Sequence, residues 1–217
     1  MTLKRLVIAG AGGFGRELLC WASDWQVNGG PFEEIVFIDD QIEQLPQYGL
    51  WRAATFQDYR PLLTDKIVVG VGLPKVKRKM VESLQERGCY FADLIHPTVV
   101  LGKTSKRGTG IIMCPFTMNT ADSLAGDFVT ILSFSGMGHD SKVGDFSTVA
   151  SHVDVMGGAE IGREVFVGSG SRIMPNIQIG DFATIGAGST VIRKVKSGQT
   201  VYVPPARILR MISSGSV

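Results

Sequence analysis

The pattern of apolar and polar positions changes midway along the chain. In the first part, short apolar runs alternate with segments of helical spacing. Leu6-Val7-Ile8-Ala9 is a run of the kind that forms a buried parallel strand. Arg16 to Trp25 then places Leu18, Leu19, Ala22 and Trp25 at helical intervals. Ile35-Val36-Phe37-Ile38 reads as a second strand and Ile67-Val68-Val69 as a third. Pro74 suits the first turn of a helix continuing to about Arg87. The alternation predicts a small parallel sheet with crossover helices.

From about residue 95 the period becomes six. Ile131, Met137, Val143, Val149, Val155, Ile161, Val167, Ile173, Ile179, Ile185 and Val191 fall in one register, which extends back with exceptions through Ala125 and Met113 to Leu101. Neither a helix nor an alternating strand has this period; a hexapeptide β-helix does. Each hexapeptide makes a short strand and a corner, and three close one triangular coil. The aliphatic residue points inward, and burying one is worth roughly 1.5–3 kcal/mol. Glycine often follows it (Gly102, Gly126, Gly138, Gly144, Gly162, Gly168, Gly180, Gly186) and is expected to accept corner geometry that a side chain resists. Arg107 and Asn119 occupy aliphatic positions, so the first coils are expected to be distorted or to carry a bulge or loop. The register stops after Val191. The expected organisation is a Rossmann-like α/β half over residues 1–92, a left-handed parallel β-helix over 93–196, and a C-terminal tail over 197–217. In that tail Val201-Tyr202-Val203 is strand-like and Pro204-Pro205 blocks regular pairing.

Composition narrows the class. Of 217 residues, 44% are hydrophobic and 19% charged, which fits a globular fold with a real core. A net charge of +2 gives no basis for nucleic-acid binding or an anionic membrane surface. The short basic run Lys75, Lys77, Arg78, Lys79 reads as a solvated helix face. Cys20, Cys89 and Cys114 are widely spaced, as in a reduced cytoplasmic protein. The chain begins directly with a strand-like run, without signal-peptide features, and no apolar stretch is long enough to insert in a membrane.

Two segments carry candidate chemistry. Gly10-Ala11-Gly12-Gly13-Phe14-Gly15 lies between a strand and a helix and fits the Gly-x-Gly-x-x-Gly pattern. Asp39-Asp40 ends the second strand at about the distance expected of a ribose-binding acid. The α/β half is the size of one mononucleotide unit. The preferred reading is therefore a phosphate and nucleoside cradle for a sugar nucleotide, built on a helix N-terminus; a nicotinamide site and a turn that binds nothing are the alternatives. The three histidines are His96, His139 and His152. His139 stands among small residues in Ser135-Gly136-Met137-Gly138-His139-Asp140-Ser141, and Asp140 could orient its ring. His139 is either a surface histidine at a corner or a general base that takes a proton from a nucleophile attacking a CoA thioester. β-Helical prisms usually associate as trimers, and the clefts between columns suit an extended pantetheine arm.

With these motifs the chain resembles the bacterial sugar-nucleotide acetyltransferases that join a Rossmann-like half to a left-handed β-helix. This group includes sialic acid O-acetyltransferase-like proteins and the N-acetyltransferases of bacillosamine, viosamine and perosamine synthesis. The resemblance spans essentially the whole chain. It is carried by Gly10 to Gly15, Phe37-Ile38-Asp39-Asp40, Leu94-Ile95-His96-Pro97, and Gly138-His139-Asp140 before Val143-Gly144-Asp145-Phe146. It implies an N-acetyltransferase acting on a nucleotide-linked 4-amino-4,6-dideoxy sugar, a precursor of a surface polysaccharide such as lipopolysaccharide or another glycan. It implies His139 as general base with Asp140 as its acidic partner, and Gly12, Gly13, Phe14, Asp39, Asp40 and Gly72 along the sugar-nucleotide site. It also implies acetyl-CoA as acyl donor, without a metal, held between the subunits of a homotrimer near Gly157, Ser169 and Ala187. Gly157 is one 18-residue coil beyond His139. Two positions depart from some members, which have histidines where this chain has Phe14 and Thr148. The tail Val203-Pro204-Pro205-Ala206-Arg207 lacks the glycine of the group's terminal motif.

Other classes compete. An O-acetyltransferase of sialic acid type would use the same base. A β-helical zinc hydratase of the γ-carbonic anhydrase type needs three histidines converging on one metal, whereas His139 and His152 are out of phase and His96 lies at the junction. The third class is a non-catalytic scaffold.

Overall fold

The computed structural model describes residues 3–27 and 32–204. The α/β half contains β1 (Leu3–Ala9), α1 (Gly13–Val27), β2 (Phe32–Ile38), β3 (Gln44–Leu45), a 3-10 turn (Pro46–Tyr48), β4 (Leu50–Ala54), β5 (Asp65–Val69) and α2 (Pro74–Glu86). The sheet order is β3-β4-β2-β1-β5. β1 pairs in parallel with both β2 and β5, β4 pairs in parallel with β2, and β3 is antiparallel to β4. The three strands and two helices expected from the pattern are present; β3 and β4 are additional. Leu6, Ile8, Leu18, Ile35 and Phe37 share one core layer, and Val7, Ile38, Ile67, Val81 and Leu84 share the other. Among the described residues no helix is long and apolar enough to cross a membrane.

The two halves join without a linker. Ile67 N–H donates to the Tyr90 carbonyl and Ala92 N–H to the Ile67 carbonyl, at 2.8 and 2.9 Å. The segment after α2 thus adds to the β5 edge and passes directly into Leu94–Ile95, the first strand of the β-helix. Ile112, Cys114 and Leu132 of the β-helix pack into the same core as Leu6 and Phe37.

The β-helix is a prism of three parallel sheets. The first face has seven strands, from Leu94–Ile95 to Thr200–Val201; the second has six, from Val100–Leu101 to Thr190–Val191; the third has five, from Lys106–Arg107 to Gln178–Ile179. Partners such as Met118↔Gly136 and Gly136↔Asp154 are 18 residues apart, one coil. All eleven aliphatic positions from Ile131 to Val191 are buried inside. A second buried column is formed by small residues, among them Ser135, Ser147, Ser171 and Ser189. Their hydroxyls donate to corner carbonyls: Ser135 to Ala150, Ser147 to Gly162, and Ser171 and Ser189 to Gly186. These bonds give the buried hydroxyls acceptors at the corners, where the two-residue strands end.

Three expectations are corrected. The coils around Arg107 and Asn119 are not bulged: Arg107 pairs with Ala125, and Asn119 with both Leu101 and Met137. Arg107 turns outward near the open end of the prism, 4.0 Å from Asp93, and buried Asn119 accepts a hydrogen bond from the Ser123 hydroxyl. The glycines after the aliphatic residues do not supply the left-handed backbone. That conformation falls two residues later, at Phe116, Phe134, Asp140, Phe146, His152 and Asn176 among others, with φ between 51° and 62°. Each such residue costs roughly 1–2 kcal/mol. Stacking along the corners offsets part of it, with Phe116–Phe134 centroids 5.1 Å apart, Phe134–His152 5.0 Å and Phe128–Phe146 5.2 Å. The glycines are needed for close approach instead: a Cβ on Gly138 would lie 2.8 Å from Gly157 N, and one on Gly168 2.6 Å from Ala187 N. Finally, the prism extends past residue 196. Val195 bridges to Ile179, and Thr200–Val201 pairs with Thr184–Ile185. Only Val201 of the strand-like Val201-Tyr202-Val203 segment is in that strand, and residues 205–217, including Pro205 to Arg207, lie outside the described residues.

Candidate active site

His139 and Asp140 form the turn from Gly136–Met137 on the second face to Lys142–Val143 on the third. Asp140 takes the left-handed conformation at φ 58° and donates its N–H to the Ala121 carbonyl one coil back. The His139 carbonyl accepts from Gly158 N–H one coil ahead, at 2.8 Å. The turn is therefore held by coils on both sides. Asp140 Oδ2 lies 2.7 Å from His139 Nδ1. This contact directs Nε2 away from the carboxylate and fits the tautomer in which Nε2 accepts a proton. Both side chains are largely exposed, at 73% and 65%. The ring lies against Gly157: a Cβ there would run into Nε2, Cε1 and Cδ2. Beside this corner, a depression of about 230 Å³ on the second face is bordered by Met118, Thr120, Gly136, Gly138, Asp154 and Met156.

Gly157 stands at the same corner as His139, whereas Ser169 and Ala187 stand at the corner between the first and second faces, one coil apart from each other. Within one chain, the three residues implied for acetyl-CoA thus flank the second face from opposite edges and do not line one corner.

The glycine loop, Asp39-Asp40 and Gly72 gather at the carboxyl ends of β1, β2 and β5, the crevice position of open α/β sheets. Gly10 has φ +96°, and a Cβ on Gly15 would collide with the Gly10 carbonyl oxygen. Gly12, Gly13 and Gly72 face open space. Phe14 packs partly on the α/β core. Asp39 Oδ2 accepts from Ala11 N–H and Oδ1 from Gln41 and Ile42 N–H, each at 2.8 Å. Partial burial works against its charge, but these three amides outweigh that and hold its pKa below the usual value. Asp39 therefore ties the glycine loop to the turn after β2. Asp40 is exposed, and its Oδ1 accepts from Phe56 N–H at 2.9 Å.

The other histidines are elsewhere. His96 Nδ1 accepts from Thr98 N–H at 3.2 Å, and burial lowers its pKa. His152 stacks on Phe134 at the corner between the first and second faces. The three cysteines are free thiols.

One buried ionisable group is misread when its charge is weighed above its spacing. Lys77, read as part of a solvated helix face, is 1% exposed. It falls in the buried stripe of α2 with Pro74, Val81 and Leu84; the spacing carried that signal, and the positive charge masked it.

In sequence, residues 5–84 match the PglD N-terminal domain family, and residues 158–193 match the bacterial transferase hexapeptide (six repeats) family. No curated protein matches the chain in sequence. Solved structures do match. The acetyltransferase domain of PglB from Neisseria gonorrhoeae FA1090, in complex with acetyl coenzyme A, is 26% identical with a TM-score of 0.85, over 95% of this chain and 99% of that one. WeeI from Acinetobacter baumannii AYE is 26% identical with a TM-score of 0.82, over 95% and 100%. A point variant of perosamine N-acetyltransferase from Caulobacter crescentus, in complex with CoA and GDP-perosamine, shares the fold at 22% identity and a TM-score of 0.81, over 94% and 96%. With a PglD-type α/β half joined to a transferase hexapeptide β-helix, the chain is an acyltransferase, similar over nearly its whole length to the acetyltransferase domain of PglB.

Proposed function

We propose that the chain moves the acetyl group of acetyl-CoA to the amino group of a nucleotide-linked 4-amino-4,6-dideoxy sugar, with His139 as general base. The observation that carries this reading is the 2.7 Å contact of His139 Nδ1 with Asp140 Oδ2, which leaves Nε2 free on an exposed corner. The acceptor amine attacks the thioester carbonyl, Nε2 takes its proton, the C–S bond breaks, and CoA leaves as the thiol with a proton returned to sulfur. Asp140 keeps the ring oriented through its contact with Nδ1.

Gly12, Gly13, Phe14, Asp40 and Gly72 are the proposed sugar-nucleotide contacts, with the phosphates near the N-terminus of α1; Asp39 supports them by fixing the loop. The chain acts as a homotrimer in this reading, in the cytoplasm, with acetyl-CoA between a His139–Gly157 corner and the Ser169–Ala187 corner of a second copy. The separation of these residues on two corners of one prism supports that division. So does the outward apolar series Val100, Phe116, Met118 and Phe134, which one copy leaves exposed.

The test is CoA release from acetyl-CoA with UDP-, GDP- and dTDP-linked amino sugars, beside hydroxyl acceptors of sialic acid type. Transfer to a nucleotide-linked amine is expected. Transfer confined to hydroxyls would replace the acceptor assignment, and no transfer to either would sink the enzymatic reading.

A further inference from the structure

Lys77 reaches from α2 of the α/β half into the first face of the prism. Its Nζ donates to Thr130 Oγ1 at 3.0 Å, Ser147 carbonyl oxygen at 3.1 Å and Thr148 Oγ1 at 3.1 Å. Thr130 and Thr148 are paired neighbours on successive coils, both fully buried. All three protons of the ammonium are thus used, and all three acceptors belong to the other half. None of the acceptors is charged. On α2 the adjacent Arg78 is engaged with Glu82 at 2.6 Å and with Glu164 of the prism at 2.9 Å. The first face offers Lys77 two hydroxyls and a carbonyl.

An ammonium buried without a carboxylate is expensive, and an apolar side chain of similar length would fill the space at lower cost. What lysine adds is geometric selectivity. Three donors find three acceptors in one placement of α2 on the prism. A shift by one strand spacing, about 4.8 Å, would put Ile112 or Phe166 in place of one of the two threonines and leave one proton of the buried charge without its acceptor.

We propose that Lys77 is a positioning residue: it pins the α/β half to the β-helix in a single register and so fixes where the nucleotide crevice stands relative to the acyl-transfer corners. The catalytic consequence rests on the function proposed above; the pin itself does not.

The experiment uses the full chain and two variants. Lys77→Met keeps length and removes the donors. Lys77→Met with Thr130→Val and Thr148→Val also removes the hydroxyls left without a donor. Nucleotide and CoA binding to Lys77→Met are expected to stay within about twofold, because each contact set is intact, while kcat/KM for the sugar nucleotide falls by at least about tenfold, as misplacement of reacting groups does. The triple variant is expected to regain melting temperature but not kcat/KM. Recovery of both, or a Lys77→Met enzyme within about twofold of wild type, would reduce Lys77 to a packing residue. Hydrogen exchange reads the pin without turnover: Lys77→Met should speed exchange of α2 amides about tenfold in the folded protein. Unchanged exchange would overturn the pin whatever the acyl-transfer assay shows, and faster exchange in a chain with no transferase activity would uphold the pin while removing the functional reading.

Discussion

The imidazole of His139 rests on Gly157, one coil further along the prism, at a spot where a β-carbon would strike the ring. Gly157 has no left-handed requirement of its own; the left-handed residue is Gly158 beside it. Its smallness serves the histidine. Gly157→Ala should therefore leave the melting temperature within a few degrees and lower kcat by roughly ten- to a hundredfold, by tilting Nε2 away from its working direction. Steady-state kinetics with a thermal melt check this; an alanine enzyme at full rate would mean that the ring orientation in the free chain is irrelevant.

Replacing the proposed base itself should be more severe. His139→Ala is expected to lower kcat by roughly 10²–10⁴-fold, with nucleotide binding unchanged. Asp140→Asn should cost less, because asparagine tolerates the left-handed backbone at this position and still supports the ring. Rates of the two variants measured side by side decide it: a larger loss for Asp140→Asn than for His139→Ala would contradict the assignment of roles.

Lys77 makes a pH signature. Burial lowers its pKa to about 7 from an unfolded value near 10.5. Between those values the unfolded chain binds more protons than the folded one, so this group makes stability rise with pH across that window. Below about 7 both states are protonated and the penalty of burying the charge is present in full. Lys77→Met lacks this dependence. Wild-type stability minus that of the variant should therefore increase from pH 7 to pH 10, as read by denaturant titration at several pH values; a constant difference would show that the ammonium is not desolvated.

Asp65 gives a slope in a different window, on the acid side. It is 1% exposed and receives a two-pronged hydrogen bond from Arg5 Nε and Nη2, both at 2.8 Å, with further donation from Tyr59 OH and Leu62 N–H. Burial pushes its pKa up, and these donors more than reverse that, so it sits below the usual carboxylate value. The stability it contributes is present above the ordinary carboxylate pKa of about 4 and is lost as pH falls through the lowered value. Asp65→Asn should cost about 3 kcal/mol at neutral pH, by leaving the Arg5 charge without its partner. The gap to wild type should narrow on acidification, measured by urea unfolding at pH 7 and pH 3.

Much of this molecule was legible along the chain, for identifiable reasons. An aliphatic residue every six positions from Ile131 to Val191 fixes the prism, because each is sealed inside it. His139 beside Asp140 was readable as adjacency, and the dyad is made by that adjacency. The role of Gly157 as the floor under the ring was not, since it needs the packing of successive coils. The aromatic corners were missed because Phe116, Phe134 and His152 gain their contacts 18 residues apart, beyond any local window. The last coil lost its signal because Val191 and Val195 are four residues apart instead of six, although Val195 is still buried in the column. β4 escaped notice as a short, half-exposed strand at Leu50–Ala54, where little burial enforces a pattern.

The core that Ile112, Cys114 and Leu132 share with Leu6 and Phe37 has a consequence for how the enzyme meets its substrates. Two halves that bury one another's side chains melt together, so calorimetry should show a single transition, and neither half excised alone would keep a sealed interior. Such a seam leaves no hinge between the two halves. If the crevice and the acyl-transfer corner are used as proposed, the distance between them is set when the chain folds, and an acceptor is selected by whether it spans that distance.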